Sequence, residues 1–151
     1  MDDKITIIGI GDDGFEGLTR HALGLIPANL LSKVERGNQV LVPLSADLAQ
    51  AAASIEAAQA TPLVLLASGD PLFYGTARFL CEQLGKDRFE VLPHVSSMQL
   101  AFARVKESWE EAYLTNLATQ PLSRVVEKIR SAEKVGVFTS DENSPATLAG
   151  A

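Results

Sequence analysis

The segment Leu63-Val-Leu-Leu-Ala-Ser-Gly-Asp-Pro-Leu-Phe-Tyr-Gly75 decides the fold, because it joins a buried strand to a helix through a turn that exposes a carboxylate. Leu63 to Ala67 form a short continuous apolar run, the pattern of a strand covered on both faces in a parallel sheet. Ser68-Gly69 breaks the run. Asp70-Pro71 then has the form of a helix start: aspartate accepts orphan backbone N–H groups, and proline fills the first helical position, where a missing donor is no loss. The spacing predicts a helix from about Tyr74 to Leu84, ended by Gly85. Such a turn lies at the carboxyl end of a strand, where open α/β sheets bind their ligands.

Working outward, the same strand-to-turn-to-helix pattern recurs. Lys4 to Gly9 predicts a first strand ending in a glycine-rich turn, and Leu18 to Ile26 a helix stopped by Pro27. Leu30 to Val34 reads as a helical turn or a poor strand, and Gln39 to Val42 as a short strand. The alanine-rich stretch from Ser45 to Ala60 has strong helix propensity, with Leu48, Ala52 and Ile55 at helical spacing. Phe89 to Leu92 gives another strand, followed by Pro93-His-Val-Ser-Ser-Met-Gln-Leu-Ala-Phe-Ala-Arg104, in which Ser96 or Ser97 can cap a helix carrying Leu100, Ala101 and Val105. Alternating strands and helices predict an α/β fold with a parallel sheet and helices on its faces. The turns at 9–14, 68–75 and 93–97 then share the sheet's carboxyl edge and line one crevice.

Composition narrows the ligand. The 151 residues are 46% hydrophobic and 21% charged, as in an ordinary globular chain of about one domain. Nineteen acidic residues against thirteen basic ones leave a formal charge of −6, so nothing global attracts nucleic acid or an anionic membrane. The single cysteine, Cys81, excludes an internal disulfide and reads as a small hydrophobe on a helix. With only His21, Cys81 and His94 as soft donors, no metal site is expected. The amino terminus lacks the zones of a signal peptide, and no run reaches the roughly 18 apolar residues of a membrane span. A cytoplasmic location is therefore expected.

The first turn, Gly9-Ile-Gly-Asp-Asp-Gly14, matches the dinucleotide pattern G-x-G-x-x-G, and Glu35 stands near the distance of a ribose-binding acid. An NAD(P)-dependent oxidoreductase is the alternative this raises. Against it, Asp12 and Asp13 occupy the place where a pyrophosphate would approach backbone N–H groups, and Asp70 repeats the problem at the second turn. Those carboxylates suit a ligand with hydroxyls, an amine or a positive centre, and S-adenosylmethionine carries all three.

Gly9-Ile-Gly11, Ala67-Ser-Gly-Asp-Pro-Leu-Phe-Tyr-Gly75 and Pro93-His-Val-Ser-Ser-Met-Gln-Leu-Ala-Phe-Ala-Arg104 followed by Trp109 together resemble the tetrapyrrole (corrin/porphyrin) methylases. Within that family the likeness is to the cobalamin branch that methylates a precorrin at C5, and it extends from residue 4 to about 149. The resemblance implies two αβα lobes with S-adenosylmethionine in the cleft between them, and direct methyl transfer to a ring carbon without a catalytic nucleophile. Gly69, Asp70, Leu72, Phe73, Tyr74 and Gly75 would shape the cofactor turn, with Ser96 and Ser97 flanking the methionine portion. Gly9, Gly11 and Asp12 would lie on the substrate side, with His94 and Arg104 as candidate cations for the carboxylates of the precursor macrocycle. Lys106, Arg124 and Lys128 are further candidates, although Arg124, Lys128 and Arg130 read as the solvated side of a helix whose apolar stripe is Leu122, Val125, Val126 and Ile129. Trp109 is expected to cover the junction between lobes, and a symmetric homodimer is expected from the resemblance only.

The sequence departs from that branch where a Ser-x-His-Gly-Arg segment is usual and Thr115-Asn-Leu-Ala-Thr-Gln-Pro121 stands instead, and where Gly37-Asn-Gln-Val-Leu41 replaces a Gly-x-Arg-His-Leu segment. The cofactor turn is untouched, and the macrocycle preference is left open. Residues 1–105 read as the first lobe and 106–151 as the start of a second, with a strand at 112–117, a helix at 121–131, a strand at 133–138 and a helix opened by Ser144-Pro145. A second lobe of about 45 residues is too short for an independent core of usual size, so a truncated chain is expected, with a non-catalytic fragment of the methylase fold as a further alternative.

Overall fold

The computed structural model describes residues 4–26, 48–57 and 63–151. The expected segments at 30–34 and 39–42, Glu35, and both ends of the alanine-rich helix lie outside these residues. Contacts divide the chain into two compact units, Met1–Ser96 and Ser97–Ala151.

In the first unit, β1 (Ile5–Ile10) lies between β2 (Val64–Ser68) and β3 (Phe89–Leu92), and both pairings are parallel. The register sets Gly9 beside Ala67 and Ile8 beside Leu92, so all three strands end at one edge. Alternation along β1 explains its run of buried residues. Ile5 and Ile7 face α2 (Leu48–Ala57) and α3 (Ala77–Leu84) in a cluster with Ile55, Leu65 and Leu80. Ile8 faces the other way, onto Leu18, Ala22 and Ile26 around α1 (Arg20–Leu25). Helices on both faces are what a parallel sheet requires, because its crossovers must cover it. Cys81 packs against the first of these clusters, and burial pushes its thiol up.

Two helix starts differ from the sequence reading for local reasons. Leu18 stays extended and buried, and α1 begins after Thr19, whose hydroxyl accepts the Ala22 amide at 3.1 Å. The helix expected from Tyr74 begins at Ala77, because Tyr74 has φ 53, a left-handed conformation that no right-handed helix accommodates.

In the second unit, β4 (Tyr113–Asn116) and β5 (Val135–Phe138) pair in parallel across α5 (Leu122–Ser131), and α6 (Pro145–Ala149) follows, capped by Ser144 through the Thr147 amide at 3.2 Å. The helix α4 (Ser97–Val105), assigned to the first lobe by sequence, falls in this unit by contacts. A Cβ on Gly136 would come 2.6 Å from the Met98 sulfur and 3.1 Å from the Phe102 ring, so glycine there allows α4 to lie against β5. α4 ends with Lys106 at φ 60 and the Glu107 amide reaching back to the Phe102 carbonyl at 3.1 Å, a Schellman-type stop. On α5 the apolar stripe turns inward on Val125, and Arg124, Lys128 and Arg130 are exposed as the periodicity predicts.

Thr115 is only 1% exposed and its hydroxyl has no hydrogen-bond partner among the described residues. An unmade buried hydrogen bond is a net cost, so Thr115→Val should raise stability by about 1 kcal/mol. A higher urea midpoint at unchanged slope would show this, and a lower midpoint would show that the hydroxyl is engaged.

Candidate functional site

The shared carboxyl edge brings the three turns of the first unit together, and glycine is what lets them meet. A Cβ on Gly9 would overlap the Gly69 carbonyl oxygen and lie 2.8 Å from the His94 backbone nitrogen. The Gly69 amide donates to the Ile10 carbonyl at 2.7 Å. Gly69 itself has φ 63, and a Cβ on it would sit 3.0 Å from Ser96 Cα. The backbone of the second turn thus lies directly against the first and the third.

Asp70 does not cap α3. Its Oδ1 accepts the Leu72 amide at 2.9 Å and its carbonyl the Phe73 amide at 3.1 Å, which closes a tight turn ahead of the helix. Pro71 is buried in that turn rather than at a first helical position, and its carbonyl accepts the Ala77 amide at 3.2 Å. A side chain on Gly75 would overlap the same carbonyl. Tyr74, strained at positive φ, packs edge-on against Phe73 with ring centroids 4.9 Å apart. Among the described residues no cation pairs with Asp70. Leu72, Tyr74 and Val95 are 57%, 41% and 45% exposed, an apolar lip on a carboxylate-bearing edge.

Of the residues named from sequence, the fold brings Gly9, Gly11, Gly69, His94 and Ser96 together. Asp12 is exposed on the first loop. Ser97 and Arg104 lie at the two ends of α4 in the second unit, both exposed. The His94 ring turns inward, its Nε2 3.1 Å from the Gly17 carbonyl. Val95 and Gly17 were not singled out by sequence. An apolar residue inside a polar turn is the signal for Val95, whereas a carbonyl such as that of Gly17 leaves none.

The sequence profile of the Tetrapyrrole (Corrin/Porphyrin) Methylases matches residues 4–149. The chain belongs to that family. The chain is 32% identical, over 96% of its length, to a Precorrin-6Y C(5,15)-methyltransferase [decarboxylating] of Sinorhizobium sp, and covers 37% of that protein. It is 28% identical over the same share to a Cobalt-precorrin-7 C(5)-methyltransferase of Salmonella typhimurium, of which it covers 75%. The chain spans little more than a third of the length of the precorrin-6Y relatives. Its fold matches the crystal structure of the methyltransferase CobJ with a TM-score of 0.64 at 18% identity, over 95% of this chain and 72% of that one. Among the described residues, no helix is long and apolar enough to cross a membrane.

Proposed function

We propose that this chain carries an S-adenosylmethionine-dependent C-methyltransferase activity that methylates a precorrin or cobalt-precorrin macrocycle at C5 in cobalamin biosynthesis. The reading rests above all on Asp70, a carboxylate with no cationic partner among the described residues, on a turn flanked by exposed Leu72 and Tyr74. With Asp12 and Asp13 on the neighbouring loop, that edge repels a polyphosphate and accepts hydroxyls or a cation, which fits the ribose and sulfonium of the methyl donor. The names of the relatives, precorrin-6Y and cobalt-precorrin-7 methyltransferases, support the macrocycle and the ring carbon.

When bound, S-adenosylmethionine supplies a methyl group on a sulfur that leaves readily, so the residues have to position and enclose rather than attack. Gly69 to Gly75 would hold the cofactor with Ser96 and Ser97, while Gly9, Gly11 and Asp12 would border the macrocycle and Arg104 would meet its carboxylates. No side chain is assigned a nucleophilic or acid-base role. A homodimer and a cytoplasmic location accompany this reading on the strength of the resemblance.

Melting the chain with S-adenosylhomocysteine and, separately, NADPH tests the proposal. A ligand at a hundred times its Kd adds about 2.7 kcal/mol to the folded state, a shift of several degrees. S-adenosylhomocysteine should produce it and NADPH should not. Asp70→Ala should abolish the shift, and Asp70→Asn, which keeps an acceptor for the Leu72 amide, should weaken it. Stabilisation by NADPH alone, or by neither ligand in a folded sample, would sink the assignment, and an undiminished shift in Asp70→Ala would remove Asp70 from the site.

A further inference from the structure

The first loop packs Phe15 against the cluster of Ile8, Leu18, Ala22 and Ile26. Its 3-10 turn (Gly14–Gly17) contains no fully buried residue, and the Asp13 side chain makes no cap hydrogen bond to it. His94, 77 residues away, also reaches it, through the 3.1 Å contact of Nε2 with the Gly17 carbonyl. A carbonyl only accepts, so Nε2 carries the proton and donates. The other ring nitrogen, Nδ1, is buried and has no partner among the described residues. The ring is 17% exposed and fills the space above Gly11, where a Cβ would lie 2.7 Å from Cε1 and 2.8 Å from Nδ1. Asp13 Oδ1 stands 4.0 Å from Nε2.

We propose that His94 is a positioning residue: its Nε2–H clasps the Gly17 carbonyl and its ring seats against Gly11, fixing the first loop beside the Gly69–Gly75 turn. The contacts account for three sequence features at once: a histidine in the third turn, a glycine at 11 that gives the ring room, and a loop that holds its shape without a cap. The effect on substrate rests on the function proposed above, since the loop carries Asp12 and Asp13 to the edge of the site. The clasp itself does not depend on that function.

Side-chain length separates the clasp from mere space filling. In glutamine the amide nitrogen stands where Nε2 does and still donates to Gly17, whereas in asparagine it stands where Nδ1 does and cannot reach. The readout is amide hydrogen exchange of residues 11–18 in the full chain, compared with the amides of the three strands of the first unit. His94→Asn should speed exchange in 11–18 about fivefold, the effect of one lost hydrogen bond, with the strands unchanged. His94→Gln should stay close to wild type. Exchange in His94→Asn equal to wild type, or in His94→Gln as fast as in His94→Asn, would overturn the proposal.

A second arm works even if His94→Asn does not fold. Gly11→Ala should loosen the loop in the wild-type background and have less effect with His94→Gly, where the methyl meets only Asp13 Oδ1, the end of a side chain that can swing aside. Additive effects would count against the ring's seat on Gly11. Failure of S-adenosylhomocysteine to stabilise the wild-type chain would undo the methyl-donor reading and leave these exchange results standing, so the two failures are distinguishable.

Discussion

Gly9→Ala should destabilise the chain by about 3 kcal/mol, the upper end of the usual cost of overpacking, and lower its melting temperature by about 6–12 °C. The atoms its methyl would strike are the Gly69 carbonyl oxygen, the His94 backbone nitrogen and His94 Cβ. None of these rotates away, so relief requires the second and third turns to move off the first. The same variant should therefore lose ligand-induced stabilisation along with stability. Gly24→Ala is the matched control: nothing lies within 4 Å of a Cβ there, in the last turn of α1, and the change should stabilise by up to about 0.5–1 kcal/mol. Calorimetry of both variants settles the point, and a Gly9→Ala chain that melts with wild type would show that the turns do not meet as described.

Gly136→Val should cost about 2–3 kcal/mol through a different kind of obstruction. Its neighbours are side-chain atoms, Met98 Sδ at 2.6 Å, Leu114 Cδ2 at 2.8 Å and Phe102 Cε2 at 3.1 Å from a Cβ. A methionine adapts to one extra methyl, so alanine should be partly accommodated, whereas valine drives two more carbons between α4 and the strand. The damage should be local: amides of Ser97–Ala151 should exchange faster while those of β1, β2 and β3 keep their protection. Met98→Ala in the same chain should recover part of the loss. Equal acceleration in both units, or no loss at all, would contradict the packing assigned to Gly136.

The strands and the family were legible because both rest on short contiguous signals. Ile5 to Ile8 and Leu63 to Ala67 are apolar on both faces, which only a strand between helical layers explains. Ser144-Pro145 announced the last helix for an equally local reason, a cap and a first-turn proline. The start of α3 was misread because Asp70-Pro71 has the form of a helix cap and serves here as a separate turn. The strain at Tyr74 that ends this turn depends on backbone contacts among Pro71, Gly75 and Ala77. His94 was read as a candidate cation for substrate, and the contact of its Nε2 with the Gly17 carbonyl leaves no mark in the sequence.

By itself the sequence determined the parallel α/β class, the three turns on one edge and the acidic character of the first two, since periodicity, glycine placement and charge are local properties of the chain. Only the tertiary structure decided which backbone atoms those turns press together, that α4 packs with the second unit, and that His94 faces inward to Gly17. Those are distances between residues far apart in sequence, and the folded packing, not any pattern along the chain, sets them.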